Sequence, residues 1–214
     1  MTTGFRDRTE AGRQLAETLG AYKGDASAVV LGLPRGGVAP AREVADRIGA
    51  PLDVFVVRKL GVPGHAELAM GALASGGVRI LNEAVIRHLG ISASDIDSAA
   101  EREERELKRR EEAYRGDKPP LELFGRTAIL VDDGLATGAT MRAAVQGARA
   151  RKATRVVVAV PVAPPDTART LRKEADEVVC LMTPPSFVAV GQWYAHFEQL
   201  TDEEVCGILH RHVR

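Results

Sequence analysis

The stretch that most constrains the fold runs Ala128-Ile-Leu-Val-Asp-Asp-Gly-Leu-Ala-Thr-Gly-Ala-Thr140. Four apolar residues, Ala128 to Val131, predict a buried strand. Two adjacent carboxylates, Asp132 and Asp133, follow at once, and then a run of small and hydroxyl residues from Gly134 to Thr140. The apolar pattern after it predicts a helix from Met141 to about Lys152. A strand, an acidic pair, a small-residue turn and a helix N-terminus together make a site with two poles. Backbone N–H groups and threonine hydroxyls at a helix start hold phosphate. Carboxylates at a strand end accept hydrogen bonds from sugar hydroxyls or hold a hydrated Mg²⁺. A ribose carrying a 5-phosphate needs both poles. An ordinary strand-to-helix turn would explain Gly134 but not two acids beside a Thr-Gly-Ala-Thr run.

These thirteen residues closely resemble the signature with which type I phosphoribosyltransferases bind PRPP (5-phosphoribosyl 1-pyrophosphate), and the wording is most similar to the adenine enzymes. The resemblance implies an α/β fold of the phosphoribosyltransferase type. That is a mostly parallel sheet flanked by helices, with a small hood built from the two chain ends. It implies that Asp132 and Asp133 meet the ribose and hold Mg²⁺ through water, that Thr137, Gly138, Ala139 and Thr140 cradle the 5-phosphate, and that Ala136 also binds PRPP.

Length and charge narrow the class. A chain of 214 residues suits a single domain. The 29 basic and 29 acidic residues cancel, so nothing in the total charge asks for nucleic acid or an anionic membrane. Met1 to Arg8 lacks the apolar core of a signal peptide, and the apolar runs are too short to span a bilayer. Cys180 and Cys206 have neither disulfide-framework nor metal spacing, read as packed thiols, and suit a cytoplasmic protein.

Along the chain, periodicity predicts a helix over Thr9–Leu19, a buried strand over Ala28–Leu33 and a helix from Val38 to Ile48. A strand over Leu52–Val57 follows. Gly61 to Gly77, rich in glycine, reads as a long mobile loop. A short strand (Val78–Leu81) and a helix (Asn82–Leu89) come next. Ser94 to Tyr114 alternates in charge, with Glu101–Arg105, Arg102–Glu106, Glu104–Lys108 and Glu106–Arg110 four apart. It reads as a solvated helix inside a charged insertion over about 92–118. Strands at Arg155–Val160 and Glu177–Leu181 enclose a helix at Pro165–Glu174. A last helix opens with the capping box Thr201-Asp-Glu-Glu204, in a C-terminal segment over about 183–214 that would form the hood. Repeated strand–helix alternation argues a mainly parallel, doubly wound sheet.

Further pieces of a site surround the signature. Gly32-Leu-Pro-Arg-Gly-Gly37 ends the first buried strand. Its paired glycines allow close backbone approach, and Arg35 suits phosphate oxygens. It resembles the family's pyrophosphate loop, which implies that Pro34, Arg35, Gly36 and Gly37 bind PRPP and that the Pro34–Arg35 peptide is cis. A plain tight turn with a surface arginine is the alternative. Arg58 and Lys59, at the predicted strand end, are candidates for pyrophosphate contacts, against the reading of a solvated pair. His65 and Glu67 on the predicted loop are candidates to assist protonation.

Four of the nine aromatic residues fall between Phe187 and Phe197. The segment loosely resembles the base-binding segment of hypoxanthine-guanine enzymes, which implies that Phe187 or Trp193 stacks on the base. A satellite core under the last helix is the competing reading. Two departures stand out: His196 takes the place of a family acid, and Ala136 stands where the hypoxanthine-guanine enzymes carry a third acid.

The expected activity is Mg²⁺-dependent transfer of ribose 5-phosphate from PRPP to a purine-like nucleobase with release of pyrophosphate. The catalytic groups would be Asp132, Asp133, Arg35 and Lys59 of a homodimeric enzyme. The alternative is a PRPP- or nucleotide-binding regulator without substantial catalysis. A phosphate-receiving signalling domain also has an acidic pair by a strand, but not the Gly-x-x-Thr-Gly-x-Thr run.

Overall fold

The structure, a computed structural model, describes residues 4–211. In chain order it contains α1 (Arg8–Thr18), β1 (Ala28–Gly32), α2 (Val38–Ile48), β2 (Leu52–Val54), β3 (Val57–Val62), β4 (His65–Ala74) and β5 (Val78–Leu81). Then come α3 (Glu83–Leu89), α4 (Ala93–Arg115), β6 (Thr127–Val131), α5 (Ala139–Ala150), β7 (Arg155–Val162), α6 (Pro165–Leu171), β8 (Glu177–Met182) and α7 (Asp202–Arg211). Five strands form a parallel sheet in the order β2-β1-β6-β7-β8, and β3-β4-β5 form a separate antiparallel sheet.

Every residue of β1 and β6 is buried, as their unbroken apolar runs require of strands covered on both faces. Side chains alternate between the faces. Val29, Leu31, Ala128 and Leu130 join Met141, Ala144 and Leu171 in one core, while Val30, Ile129 and Val131 join Leu15, Leu19, Val44 and Ile48 in the other. The chain leaves β1 toward β2 on one side and leaves β6 toward β7 on the other. The turns after β1 and β6 therefore diverge and open a crevice at the carboxyl ends of two neighbouring strands, the place where open α/β sheets bind ligands.

The hood is built as expected. Phe5 N–H donates to Trp193 O (2.8 Å), and Ala195 and His196 donate to Phe5 O and Arg6 O (2.9 Å each), so the first described residues pair with the segment before α7. The capping box at Thr201 is present in both directions, Glu204 N to Thr201 Oγ1 (3.2 Å) and Thr201 N to Glu204 Oε2 (2.8 Å). Among the described residues no helix is long and apolar enough to cross a membrane.

Two expectations need correction. Gly61–Gly77 is not a loop but mostly the strand β4, paired antiparallel with β3 and β5. Its glycines serve the hairpin: Gly64 has the positive φ (77°) of the turn, and at Gly71 a Cβ would lie 2.3 Å from Ile80 O, so only glycine lets β5 approach. The strand predicted at Leu52–Val57 leaves the parallel sheet after Val54, and the chain enters the antiparallel sheet at Val57.

Nor is α4 solvated all round. Ala99, Ala100, Leu107 and Tyr114 are buried with Leu60, Met70 and Leu73 of the hairpin. Of the four predicted pairs, the structure records Glu106–Arg110 (2.8 Å). Glu103 and Glu104 reach across the helix boundary to Arg58 and Arg79 instead. The helix ends on a buried ion pair, Arg115 Nε to Asp53 Oδ1 (2.8 Å), with side chains only 7% and 9% exposed. Arg115 Nη2 also donates to Val54 O (2.9 Å), and Leu121 N–H donates to Asp53 Oδ2 (3.1 Å). Removing one partner strands the other charge in the interior. Arg115→Met is therefore expected to lower the unfolding free energy by about 3–5 kcal/mol, measured by urea denaturation.

Candidate functional site

The turns after β1 and β6 interlock. Leu33 N–H donates to Val131 O (2.9 Å), and Gly37 N–H turns back to Leu33 O (2.9 Å). A Cβ at Gly37 would lie 2.5 Å from Val131 O and 2.8 Å from Asp132 Cα. At Gly36 it would lie 2.0 Å from Asp133 Oδ2. The paired glycines thus exist for the acidic pair, whose backbone and carboxylate fill the space that side chains would take. The Pro34–Arg35 peptide is cis.

The acidic pair is held from three directions. Asp133 N–H donates to Asp132 Oδ1 (2.9 Å). Tyr194 of the hood donates its hydroxyl to Asp133 O (2.5 Å). Arg8, the first residue of α1, donates from Nε to Asp133 Oδ2 (2.7 Å). Sequence reading missed Arg8 and Tyr194. Arg8 lies 125 residues from its partner and opens an unremarkable amphipathic helix, so no local signal marks it. Asp132 is only half-buried by solvent access, yet enough protein surrounds it to matter. Burial first, and then the charge of Asp133, push its carboxyl well above the usual carboxylate range, with Arg8 opposing. Burial also raises the Tyr194 phenol, keeping it a hydrogen-bond donor.

Gly138 shapes the turn into α5. The helix starts at Ala139, two residues before the predicted Met141, because Gly138 takes a left-handed conformation (φ 73°) as its N-cap. That places the first-turn N–H groups, which have no partner within the helix, beside the exposed Thr137, Ala139 and Thr140. Ala136 is exposed too, and its carbonyl accepts the Thr167 hydroxyl (2.9 Å). A Cβ at Gly138 would lie 2.7 Å from Thr167 Cγ2.

The structure separates the two cations read as a pair. Arg58 and Lys59 lie within β3, opposite Leu73 and Ala72, and successive strand residues face opposite ways. Arg58 donates from Nη2 and Nε to Glu103 Oε2 of α4 (2.7 and 3.0 Å). Lys59 lines a groove of about 420 Å³ between the hairpin and α5, shared with Val57, Ile80, Ala139, Thr140 and Ala143. Lys59 therefore faces a groove that the start of α5 also lines, whereas Arg58 is tied to α4. Arg35 points its Nη1 toward Asp202 of α7 (3.9 Å), whose Oδ1 also accepts the Tyr114 hydroxyl (2.8 Å).

Phe187 and Trp193 stack on each other (6.4 Å between centroids, 23° between planes), so the two rival ring candidates form one aromatic pair. Their segment lies over the acidic turn, since a Cβ at Gly134 would lie 2.6 Å from Val190 Cγ1. His196 and His65 are exposed, and the side chain of Glu67 lies outside the described residues. Among the described residues no three His, Cys, Asp or Glu side chains gather as a metal site, and Cys180 and Cys206 are free thiols.

Residues 7–196 match the family profile of the phosphoribosyl transferase domain. The chain belongs to that family. Over nearly all of its length it is similar to the crystal structure of TT1426 from Thermus thermophilus. The two are 46% identical, the TM-score is 0.86, and the match covers 97% of this chain and 98% of that one. It is also 52% identical over 207 residues to a Mycobacterium tuberculosis H37Rv protein whose name assigns it, provisionally, as a phosphoribosyl transferase. That match covers 97% of this chain and 46% of the relative, so the chain spans about half the length of the curated relatives it matches.

The raised Asp132 carboxyl has a measurable consequence. Its folded pKa exceeds the unfolded one, so the folded state binds more protons in the window between them. Stability is accordingly lost as pH rises from the ordinary aspartate value of about 3.9 through the raised folded value, and the penalty persists at neutral pH. Asp132→Asn removes the ionisation. Thermal unfolding of the metal-free protein at pH 7 should show a higher Tm, by about 2–4 °C for each kcal/mol relieved. The gain should vanish below about pH 4, where the wild-type carboxyl is protonated in both states.

Proposed function

We propose that this phosphoribosyl transferase family member moves ribose 5-phosphate from PRPP to a purine-like nucleobase and releases pyrophosphate, with Mg²⁺ as cofactor, in the cytoplasm. The observation that carries this reading is the close approach of the cis Pro34–Arg35 turn to the acidic pair, with the Gly138-headed start of α5 following on the same turn as that pair. On this reading the ribose hydroxyls meet the acidic turn. The 5-phosphate is cradled by Thr137 to Thr140, where N–H groups and the helix dipole favour an anion. The pyrophosphate lies along Pro34 to Gly37, near Arg35 and Lys59.

As the bond from C1 to pyrophosphate breaks, negative charge collects on the leaving group. Arg35 and Lys59 act mainly in that transition state. Asp132 and Asp133 would hold a hydrated Mg²⁺, which would neutralise charge on the leaving pyrophosphate. Arg58 joins only by giving up Glu103. The stacked Phe187–Trp193 pair offers a flat apolar face to the acceptor ring, and stacking tolerates many heterocycles.

The second reading, a PRPP- or nucleotide-binding regulator, is favoured by one observation. Arg35 and Arg58, both assigned to pyrophosphate, already face acids of the same chain, Asp202 and Glu103.

The test is pyrophosphate release from PRPP and Mg²⁺ with adenine, hypoxanthine, guanine, xanthine, uracil and orotate in parallel. Turnover with at least one purine is expected. Turnover with a pyrimidine alone overturns the purine assignment, and tight PRPP binding without turnover on the whole panel favours the regulator. In calorimetry, Asp132→Asn combined with Asp133→Asn is expected to weaken PRPP binding by about 100-fold or more, roughly 2.7 kcal/mol. Gly138→Val, strained at positive φ and blocked by Thr167, should weaken ribose 5-phosphate binding as well.

A further inference from the structure

We propose that Asp202 of α7, held by the Tyr114 hydroxyl of α4, is a positioning residue for Arg35. It keeps the guanidinium turned to α7 until an anion displaces it, and it takes the arginine back as pyrophosphate leaves. This rests on the assignment of Arg35 to pyrophosphate under the proposed function. Neither Asp202 nor Tyr114 is among the residues assigned there to PRPP, metal or base.

The backbone of Arg35 is fixed, but its side chain is held loosely. Its turn is pinned by the Gly37 N–H on Leu33 O (2.9 Å) and by the packing of Gly36 and Gly37 against the acidic pair. The side chain is 32% exposed, and its Nη1 lies 3.9 Å from Asp202 Oδ1, within ion-pair range but beyond a hydrogen bond. Among the described residues no other acid is recorded within ion-pair distance of it. Arg58 differs, because two hydrogen bonds of 2.7 and 3.0 Å tie it to Glu103.

Asp202 is better supplied. Its Oδ1 accepts the Tyr114 hydroxyl at 2.8 Å, and Tyr114 is buried in the core that α4 shares with the hairpin. Burial first, and then this hydrogen bond, push the Tyr114 phenol up to about 12, so it stays a donor at neutral pH. Asp202 also opens α7, where the helix dipole favours a carboxylate, and Arg109 of α4 lies within electrostatic reach of it. Asp202 therefore keeps partners when Arg35 leaves. An exposed ion pair of this length is weak in water. It biases where the arginine rests, yet it yields to pyrophosphate, which offers Arg35 charge-assisted hydrogen bonds.

The experiment is calorimetry of pyrophosphate with Mg²⁺ on the full chain, with circular dichroism to verify folding. Asp202→Asn keeps an acceptor for Tyr114 and removes the charge. Pyrophosphate should then bind about 3-fold tighter at low ionic strength, and the gain should shrink at high salt. Tyr114→Phe leaves Asp202 Oδ1 to Arg35 alone and should weaken binding about 2-fold. In an Arg35→Met background Asp202→Asn should bring no gain, because Asp202 acts through the arginine.

Unchanged or weaker binding in Asp202→Asn overturns the positioning role and leaves the proposed function standing. Unchanged or tighter binding in Tyr114→Phe, or a gain from Asp202→Asn that persists in Arg35→Met, also overturns it, since a distant charge acting through space would behave so. If Asp202→Asn does not fold, or Arg35→Met binds too weakly to measure, the sign of the Tyr114→Phe effect decides. Binding by Asp202→Asn but not by the wild type upholds the inference. Absence of binding by both overturns the assignment of Arg35 to pyrophosphate, and this inference with it.

Discussion

The close approach of the turn after β1 to the turn after β6 is the constraint on which the site depends. Two parallel strands that neighbour each other and exit toward opposite sides leave a crevice at their carboxyl ends. In this chain the crevice is narrowed until Gly36 and Gly37 touch Asp133 and Asp132. With no side chain on either glycine, the backbone of one turn packs against the acidic pair of the other. On the proposed function, the two turns then serve one molecule.

The same closeness creates an electrostatic problem. Burial at the strand end, and then the charge of the adjacent Asp133, raise the Asp132 carboxyl. The fold offsets part of this by bringing Arg8 from α1 and the Tyr194 hydroxyl from the hood onto Asp133. On the proposed function, the residual penalty is a local cost kept at a site that meets hydroxyls and cations, a common trade between stability and function. Because Arg8, Tyr194 and Phe197 also bind the chain ends together, the hood and the acidic turn are mechanically one unit.

The hairpin and α4 show where one-dimensional reading fails. Glycines at 61, 64 and 71 carry the signature of a loop, yet they serve a tight turn and a close strand pairing, which look the same in sequence. The charges of α4 satisfy four-residue spacing, but long side chains choose partners across the packing interface. Glu103 takes Arg58, Glu104 takes Arg79, and Asp53 takes Arg115. Arg58 and Lys59 read as a cationic pair until the pleat of β3 sends them to opposite sides of the sheet.

The parallel sheet is legible in the amino-acid order, because unbroken apolar runs followed by helical periodicity have few other ways to bury themselves. So are the acidic pair, the Gly138 turn and the Pro34–Gly37 turn, because each is a local device whose residues are contiguous. Tertiary packing alone shows that Arg8 and Tyr194 hold Asp133, that Lys59 and not Arg58 lines the groove beside the start of α5, and that Phe187 stacks on Trp193. These contacts join residues far apart in the chain. Their geometry comes from how helices and strands dock, which leaves no periodic trace in the sequence.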